Sequence, residues 1–343
     1  MALDPVPWFT GGGAKHSAAI ARNLAWNATG GKTGIATPAS LQVRQLSTAG
    51  GAVQIMPGGC VIESTYAGAL QQSYTVRNSS ATTVTIPANT SSSTVTRYIT
   101  VEINDPQFAG SKPPSVEDGP YVFFRVLTTR QTIHPDHLLA TVVQPPNTST
   151  VTAGMIRDQR ALANPKRETY TLARPRVNSD SGGQKLYARE AAGGEYFPGG
   201  GGYANQADIV VPPWAVSMII EADWMSVRYE GAKRGWGSFW VEYGTEYRAN
   251  TWPNKQQWEF ATQKFAWDQA ENSATYRTNW RLMDTRPVPA KIRNKNTTFV
   301  FKAANTDTAS ANTAVASCDA MSGLGMKITF LEAPADWEDF NAS

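Results

Sequence analysis

Apolar and polar residues alternate with a period of two in many segments of this chain, and this pattern restricts it to β-rich folds. Val216–Trp224 carries Val, Met, Ile, Ala and Trp at every second position, and Leu324–Phe330 and Thr96–Asn104 alternate in the same way. Successive side chains of a strand point to opposite faces, so each segment predicts a strand with one buried face. The C-terminal half contains no ten-residue segment with helical periodicity. The sequence therefore predicts a mainly β protein.

The N-terminal half is predicted to contain one short helix among its strands. His16–Asn27 carries Ile20 and Leu24 four positions apart among alanines, and the glycines at positions 30 and 31 follow as a stop signal. Strand patterns then return. Tyr121–Thr129 has apolar residues at both odd and even positions, which favours a central strand that is buried on both faces.

The composition changes near residue 163, and this change indicates two domains. Nine of the eleven tryptophans follow that point, and Pro165 lies in a polar segment beside it. Residues 14–163 are therefore predicted to form a β-rich domain that contains the helix. Residues 164–343 are predicted to form an antiparallel β-sandwich or jelly-roll-like domain.

Residues 1–13 are predicted to form an arm, because they contain prolines and glycines and have no periodicity. Trp8 and Phe9 lie in this arm, and each costs about 1.5–3 kcal/mol if it stays in water. Two interpretations are open: the two rings pack on their own domain, or they dock on a neighbouring subunit.

Charge and cysteine content exclude several classes of function. The net charge is +3, from 31 basic and 28 acidic residues, and no cluster of five Lys or Arg occurs, so we expect no nucleic-acid groove. The longest apolar run is about five residues, far below the ~20 that span a bilayer, and no signal peptide is visible. Cys60 and Cys318 are expected to be reduced and buried, as in a chain made in the cytoplasm.

Catalytic and metal-binding motifs are weak, so we predict neither an enzyme nor a bound cofactor. His134 and His137 flank a Pro-Asp pair and offer a minimal metal clip, but no further ligands lie nearby in sequence. Glu221 and Asp223 share one face of a predicted strand, as a glycosidase pair would, although the solvent face of a sheet also carries acids by default. The glycine run 199–202 has no helix after it, so it is not a phosphate loop.

The segment from Trp236 to Trp267 holds ten aromatic residues. Aromatic residues that alternate on strands mostly form the core of a sandwich, whereas rings next to turns can stack on the apolar face of a sugar. Trp236, Trp252 and Trp258 lie beside Gly or Pro-Asn turns. They are the candidate glycan contacts.

Four blocks in the first half resemble minor tail or baseplate proteins of long-tailed phages, especially phages of actinobacteria. The blocks cover residues 15–43, 53–64, 96–107 and 137–162, and the most specific ends in Ile-Arg-Asp-Gln-Arg. The resemblance covers under half of the chain and does not extend beyond about residue 165. The sequence departs from the family pattern at Tyr98, where an Asp is usual, and thus loses a carboxylate partner for Arg97.

The resemblance implies a virion protein of the tail tip that is made in the cytoplasm of the bacterial host. It also implies a homotrimer that binds other tail-tip proteins and possesses a variable second half facing host-surface polysaccharide. The residue types at Arg157, Asp158 and Arg160 place a carboxylate between two guanidiniums. This arrangement is suited to bidentate contacts across an interface, but it is also found at a solvated strand edge. A free-standing carbohydrate-binding module and a polysaccharide depolymerase are the other functions that the sequence leaves open.

Overall fold

The computed structural model describes residues 17–130, 133–176, 183–199, 205–229, 235–244, 261–267, 275–306 and 316–333. They divide into two compact units: unit 1 comprises the residues up to Pro165 together with those from Ala333 onward, and unit 2 is Lys166–Glu332. Every pairing between strands is antiparallel, and the described residues contain one α-helix, so the prediction of a mainly β protein is confirmed. The predicted arm, residues 1–13, lies outside the described residues.

The described part of unit 1 consists of one helix followed by ten strands. Helix α1 is Ala18–Thr29. The strands are β1 (Gly34–Ile35), β2 (Val43–Gln45), β3 (Ala52–Ile55), β4 (Gly58–Glu63), β5 (Ser73–Asn78), β6 (Thr82–Thr85), β7 (Val95–Ile103), β8 (Val122–Leu127), β9 (Asp136–Gln144) and β10 (Ile156–Asp158). A turn of 3₁₀ helix, Ala153–Met155, precedes β10.

Three sheets of unit 1 surround one apolar core. Their strand orders are β1-β4-β5, β2-β3-β6 and β10-β9-β7-β8. Ile35, Val53 and Ile62 come from the two smaller sheets, whereas Ile99 and Val142 come from the third, and all five are completely buried. Each sheet therefore contributes its alternating apolar face to a shared interior.

Helix α1 lies close to its predicted position, and its ends explain why it is short. The Ser17 hydroxyl accepts a hydrogen bond from the Ile20 amide, and Gly30 ends the helix in the left-handed conformation with φ of 60°. Arg22 attaches the helix to the unit, because its guanidinium lies 5.4 Å from the centre of the Tyr74 ring and 3.7 Å from the Asp105 carboxylate.

The prediction of a central strand at Tyr121–Thr129 is wrong, because β8 is an edge strand of its sheet. Phe124 and Val126 pack on the core, as one apolar face of an edge strand does. Phe123 lies on the opposite face. Its apolar ring is covered there by the Arg125 guanidinium, which is 4.4 Å from the centre of the ring. An amphipathic arginine thus covers an aromatic ring that the sequence pattern assigned to a second buried face.

Unit 2 contains eleven strands within the described residues. They are β11 (Arg167–Arg174), β12 (Gln184–Lys185), β13 (Glu195–Tyr196), β14 (Gln206–Val210), β15 (Ser217–Tyr229), β16 (Gly235–Tyr243), β17 (Ala261–Trp267), β18 (Tyr276–Pro287), β19 (Asn296–Asn305), β20 (Ala316–Cys318) and β21 (Gly323–Leu331). Turns of 3₁₀ helix occupy Glu190–Ala192 and Ala290–Ile292.

These strands form two sheets that pack face to face, which is the predicted β-sandwich. The first sheet has the order β11-β21-β15-β20-β12 with β18 also paired to β15, and the second has the order β13-β19-β16-β17 with β14 also paired to β19. The apolar faces predicted for Val216–Trp224 and Leu324–Phe330 are buried between the sheets.

An aromatic cluster fills the centre of this sandwich. Trp224 is completely buried, and its ring meets the rings of Phe239 and Phe301 edge-on at 5.1 and 4.9 Å. Trp280 stacks on Phe265 at 4.5 Å. The Trp224 indole N–H donates to the carbonyl of residue 197 at 2.8 Å, so its polar atom is satisfied inside the core.

Within the part of the chain that the structure describes, no helix has the length and apolar character needed to cross a membrane.

Candidate functional site

A polar cleft of about 340 Å³ opens on the outer face of the second sheet of unit 2. On β19, Phe299 and Phe301 point into the core, so the alternating positions Thr298, Val300 and Lys302 point outward. Strands β13, β14 and β16 lie beside β19 and contribute their outward side chains to the floor of the cleft. The turn at residues 290–296 forms its rim.

Tyr196 forms one wall of the cleft and is half exposed, with 50% of its surface accessible. It lies directly opposite Lys302 in the pairing of β13 with β19, and the Lys302 ammonium is 5.1 Å from the centre of its ring. Directly opposed side chains in antiparallel strands are close neighbours, which explains this cation–π contact. Phe197 anchors the strand, because it is buried and its N–H donates to the Phe301 carbonyl.

Glu242 lies in the floor of the cleft and is only 5% exposed. Lys302 is paired with Trp240 on the neighbouring strand, so Glu242 lies one outward position further along β16. This diagonal relation brings the Glu242 carboxylate to 3.5 Å from the Lys302 ammonium. Lys302 therefore compensates the negative charge of the floor.

Lys291 and Lys295 line the rim and are both exposed. The turn that carries them is fixed: Ile292 is buried, and Val211 exchanges backbone hydrogen bonds with Asn294 and Lys295 at 2.8 and 3.0 Å. Neither lysine forms an ion pair with another described residue. Among the described residues, the rim therefore presents two ammonium groups without an ion-pair partner, on a backbone fixed by these contacts.

The composition of the cleft suits a polar ligand with an apolar face. An exposed aromatic ring, the amides of Gln206 and Asn296, and two lysines converge on one small volume. Among the described residues that line the cleft, Glu242 is the single carboxylate. Hydrolysis of glycosides ordinarily uses a pair of carboxylates, and the described lining supplies one of them.

Of the three predicted glycan contacts, the described one, Trp236, does not line this cleft. Trp236 is 37% exposed and shares the outer face of β16, but it is six residues from Glu242, or about 20 Å along an extended strand. Trp252 and Trp258 lie outside the described residues. Three other aromatic residues of the segment are buried in the core, as expected: Phe239, Tyr243 and Phe265. Trp240 is also buried, but it shares the outer face of β16 with Trp236 and Glu242.

Of the predicted interface residues, Arg160 and Asp158 form a bidentate ion pair inside unit 1. The Arg160 Nη2 and Nε atoms lie 2.7 and 2.8 Å from the two Asp158 carboxylate oxygens, and Arg160 is only 5% exposed. Its Nη1 atom donates to the carbonyls of Pro38 and Ser40. Arg157 is exposed, so it is the residue of this motif that a partner could reach. Trp8 and Phe9 lie outside the described residues.

The two histidines of the predicted metal clip have separate structural surroundings. His134 Nδ1 lies 3.0 Å from the Tyr66 hydroxyl, whereas His137 is buried and its Nε2 atom has no hydrogen-bond partner among the described residues. Asp136 between them pairs with Arg130 at 2.6 Å. In the described ranges, no three His, Cys, Asp or Glu side chains converge as a metal ion requires.

Acidification is expected to destabilise unit 1 through His137. Burial, with the nearby charges of Arg130 and Arg160, lowers the pKa of His137 from 6.5 to about 4, against a small opposing effect of Asp158. The unfolded chain therefore binds more protons between these values, and stability is lost as the pH falls from about 6.5 to about 4, by about 3 kcal/mol in total. Denaturant unfolding at several pH values measures this slope, which His137→Leu should reduce. An equal slope in wild type and variant would contradict the assignment to His137.

Glu221 and Asp223 are each engaged by a cation on a neighbouring strand. Glu221 lies 2.6 Å from Lys327, and Asp223 lies 3.6 Å from Arg281. These are cross-strand ion pairs on the solvent-facing side of a sheet. Of the glycine run 199–202, only Gly199 is described, and it directly follows Pro198.

Cys60 and Cys318 are buried and free, as expected. Burial raises the pKa of each thiol to about 12, so both stay protonated at neutral pH.

Sequence reasoning missed Tyr196 as a site residue. Glycines precede it and Pro198 follows two positions later, so it meets the criterion that selected Trp236, an aromatic residue beside turn residues. The cleft itself is assembled when β13 and β14, which are close in the chain, come together with β16 and β19, which follow later. No local pattern records that these strands become neighbours.

No protein-family model and no curated protein matches the chain. Among solved structures, similarity is found to the infectious bursal disease virus Gx strain, at 10% identity over 89% of this chain and 76% of that chain, with a TM-score of 0.24. Similarity to the VP2 subviral particle of the same virus is 10% identity over 90% of this chain and 69% of that chain, with a TM-score of 0.22. Similarity to the T13 viral particle of IBDV is 12% identity over 88% of this chain and 73% of that chain, with a TM-score of 0.23. Likeness at this level carries no argument about this chain.

Proposed function

We propose that this chain is a structural component of the tail tip or baseplate of a long-tailed phage. Unit 1 attaches the chain to other tail-tip proteins and forms a homotrimer, and unit 2 contacts polysaccharide on the host surface. The protein acts by binding, without catalysis.

The observation that carries this proposal is that the residues with phage-tail resemblance are neighbours in unit 1. Within block 15–43, Gly34 and Ile35 pair with β4 in block 53–64, and Ile35 also bridges to Leu162 in block 137–162. Strands β7 and β9 pair block 96–107 with block 137–162. Blocks that are separate in sequence thus form one continuous part of the fold, which supports their origin as one module.

Two contacts join further parts of these blocks. Arg160, in the most specific motif, binds the carbonyls of Pro38 and Ser40 in the first block. Arg22 of the helix contacts Asp105 in the third block. Arg22 and Arg160 therefore have internal roles that hold the blocks together, and the exposed surface of the same unit is proposed to contact partners.

A free-standing carbohydrate-binding module is the second candidate function, and the cleft of unit 2 favours it over a depolymerase. The cleft offers Tyr196, amides and lysines as a binding surface, and Glu242 in its floor is paired with Lys302. A module of this kind would act without a virion, so the presence of the chain in phage particles separates the two proposals.

Deletion of Met1–Gly13 is expected to reduce incorporation of the chain into phage tails while both units melt as in the full-length chain. The reason is that an aperiodic arm adds little to either core, whereas Trp8 and Phe9 would supply apolar contact to a neighbour. Incorporation is measured by quantitative mass spectrometry of purified tails, and the oligomeric state by light scattering, with a trimer expected. This role of the arm would be contradicted if the full-length chain is a monomer at high concentration and the deletion variant is incorporated into tails normally.

A further inference from the structure

We propose that the cleft of unit 2 binds a saccharide unit that carries an anionic group, either a carboxylate or a phosphate. The biological meaning of this inference rests on the proposed contact between unit 2 and host polysaccharide, although the binding itself is a property of the isolated protein.

The charge of the cleft selects for an anion. Glu242 in the floor is paired with Lys302, so among the described lining residues Lys291 and Lys295 at the rim leave a net positive charge. Asp208 lies outside the lining and accepts a hydrogen bond from the Thr298 hydroxyl at 2.6 Å. A concave polar site with two cations at its mouth attracts anionic ligands and holds them by charge-assisted hydrogen bonds.

The aromatic wall indicates that the ligand is a sugar. The Tyr196 ring carries Lys302 near one face, at 5.1 Å, and half of its surface remains exposed in the cleft. The exposed aromatic face matches the C–H face of a pyranose, whose C–H groups meet the π cloud of the ring. The ring is held in place by its strand, so little ordering is needed on binding.

The remaining lining matches the hydroxyl groups of a sugar. Gln206 and Asn296 bring amide donors and acceptors, and Thr298 brings a hydroxyl group. A volume of about 340 Å³ falls at the small end of ligand sites, which suits one or two sugar rings and not a longer oligosaccharide.

Calorimetric titration of the full chain with glucuronate, glucose 6-phosphate and glucose tests the inference. We expect glucuronate and glucose 6-phosphate to bind more tightly than glucose, and the tighter of the two identifies the preferred anion. Their binding, unlike that of glucose, should weaken as salt is added. The double variant Lys291→Gln/Lys295→Gln should weaken binding of the anionic sugars by about tenfold or more and leave glucose unchanged.

Tyr196→Ala should weaken binding of all three sugars by about three- to tenfold, because the stacking surface is shared. Tyr187→Ala, which removes a 67% exposed ring outside the cleft, and Lys112→Gln, which removes an exposed lysine of unit 1, are the matched controls and should change nothing. Thermal melting confirms that each variant is folded. The lysine variants keep the test valid if Tyr196→Ala is unstable, since both lysines are exposed.

Equal affinity for glucose and glucuronate, or full affinity in the double lysine variant, would overturn the inference. Absence of measurable binding by all three sugars would overturn it as well, and would leave the proposed virion role intact if the chain is found in tails. Conversely, anion-selective binding by a chain that is absent from virions would support the inference and refute the proposed function.

Discussion

Replacing Trp224 with alanine is expected to lower the free energy of unfolding of unit 2 by about 3–5 kcal/mol, because the side chain is completely buried between the two sheets. The variant loses the edge-on contacts with Phe239 and Phe301 and leaves the carbonyl of residue 197 without its indole donor. Chemical denaturation monitored by tryptophan fluorescence and circular dichroism measures the change.

Trp236→Ala is the matched control for this prediction. Trp236 is 37% exposed and lies on the outer face of the same sandwich, so its removal should cost less than about 1 kcal/mol. Equal destabilisation by the two substitutions would contradict the assignment of Trp224 to the core and of Trp236 to the surface.

Arg160→Ala is expected to destabilise unit 1 by about 3–5 kcal/mol, since it breaks a buried ion pair and leaves the Asp158 carboxylate without its cation. The carbonyls of Pro38 and Ser40 lose a donor at the same time. Urea unfolding of the full chain, followed by a probe that reports on unit 1, provides the measurement.

Two further variants distinguish this internal role from a role at a subunit interface. Arg157→Ala removes the exposed arginine of the same motif and should change stability by no more than about 0.5 kcal/mol. Asp158→Asn combined with Arg160→Met should be less destabilising than Arg160→Ala, because no unpaired charge remains buried. Loss of oligomers by Arg160→Ala with unchanged unfolding of unit 1 would contradict the internal role.

The sandwich of unit 2 could be predicted because the local sequence of its central strands shows which face of each strand is buried. In β15 as far as Trp224, and in β21, every second residue is apolar and buried, so a period of two is sufficient. The same reasoning failed for β8, where Arg125 covers Phe123. Apolar residues at both odd and even positions can occur in a central strand with two neighbours. They can also occur in an edge strand, where a long polar side chain covers the aromatic ring on the outer face.

The functional surfaces were less predictable, because they depend on contacts between distant segments. The spacing of Arg157, Asp158 and Arg160 suggested a charged interface, but it does not reveal that Arg160 reaches Pro38 and Ser40, about 120 positions away in the chain. Likewise, Tyr196 gains its cleft only when β13 pairs with β19 beside β16. Pairing order among short strands is a property of the whole fold.

The most direct test of the proposed function is to label purified phage particles with gold-conjugated antibodies raised against this chain, and to view them by electron microscopy. The account predicts gold at the tip of the tail, together with peptides of this chain in the mass spectrum of the same particles. Absence of both label and peptides from intact particles, with the chain present as free protein in the lysate, would contradict a structural role in the virion.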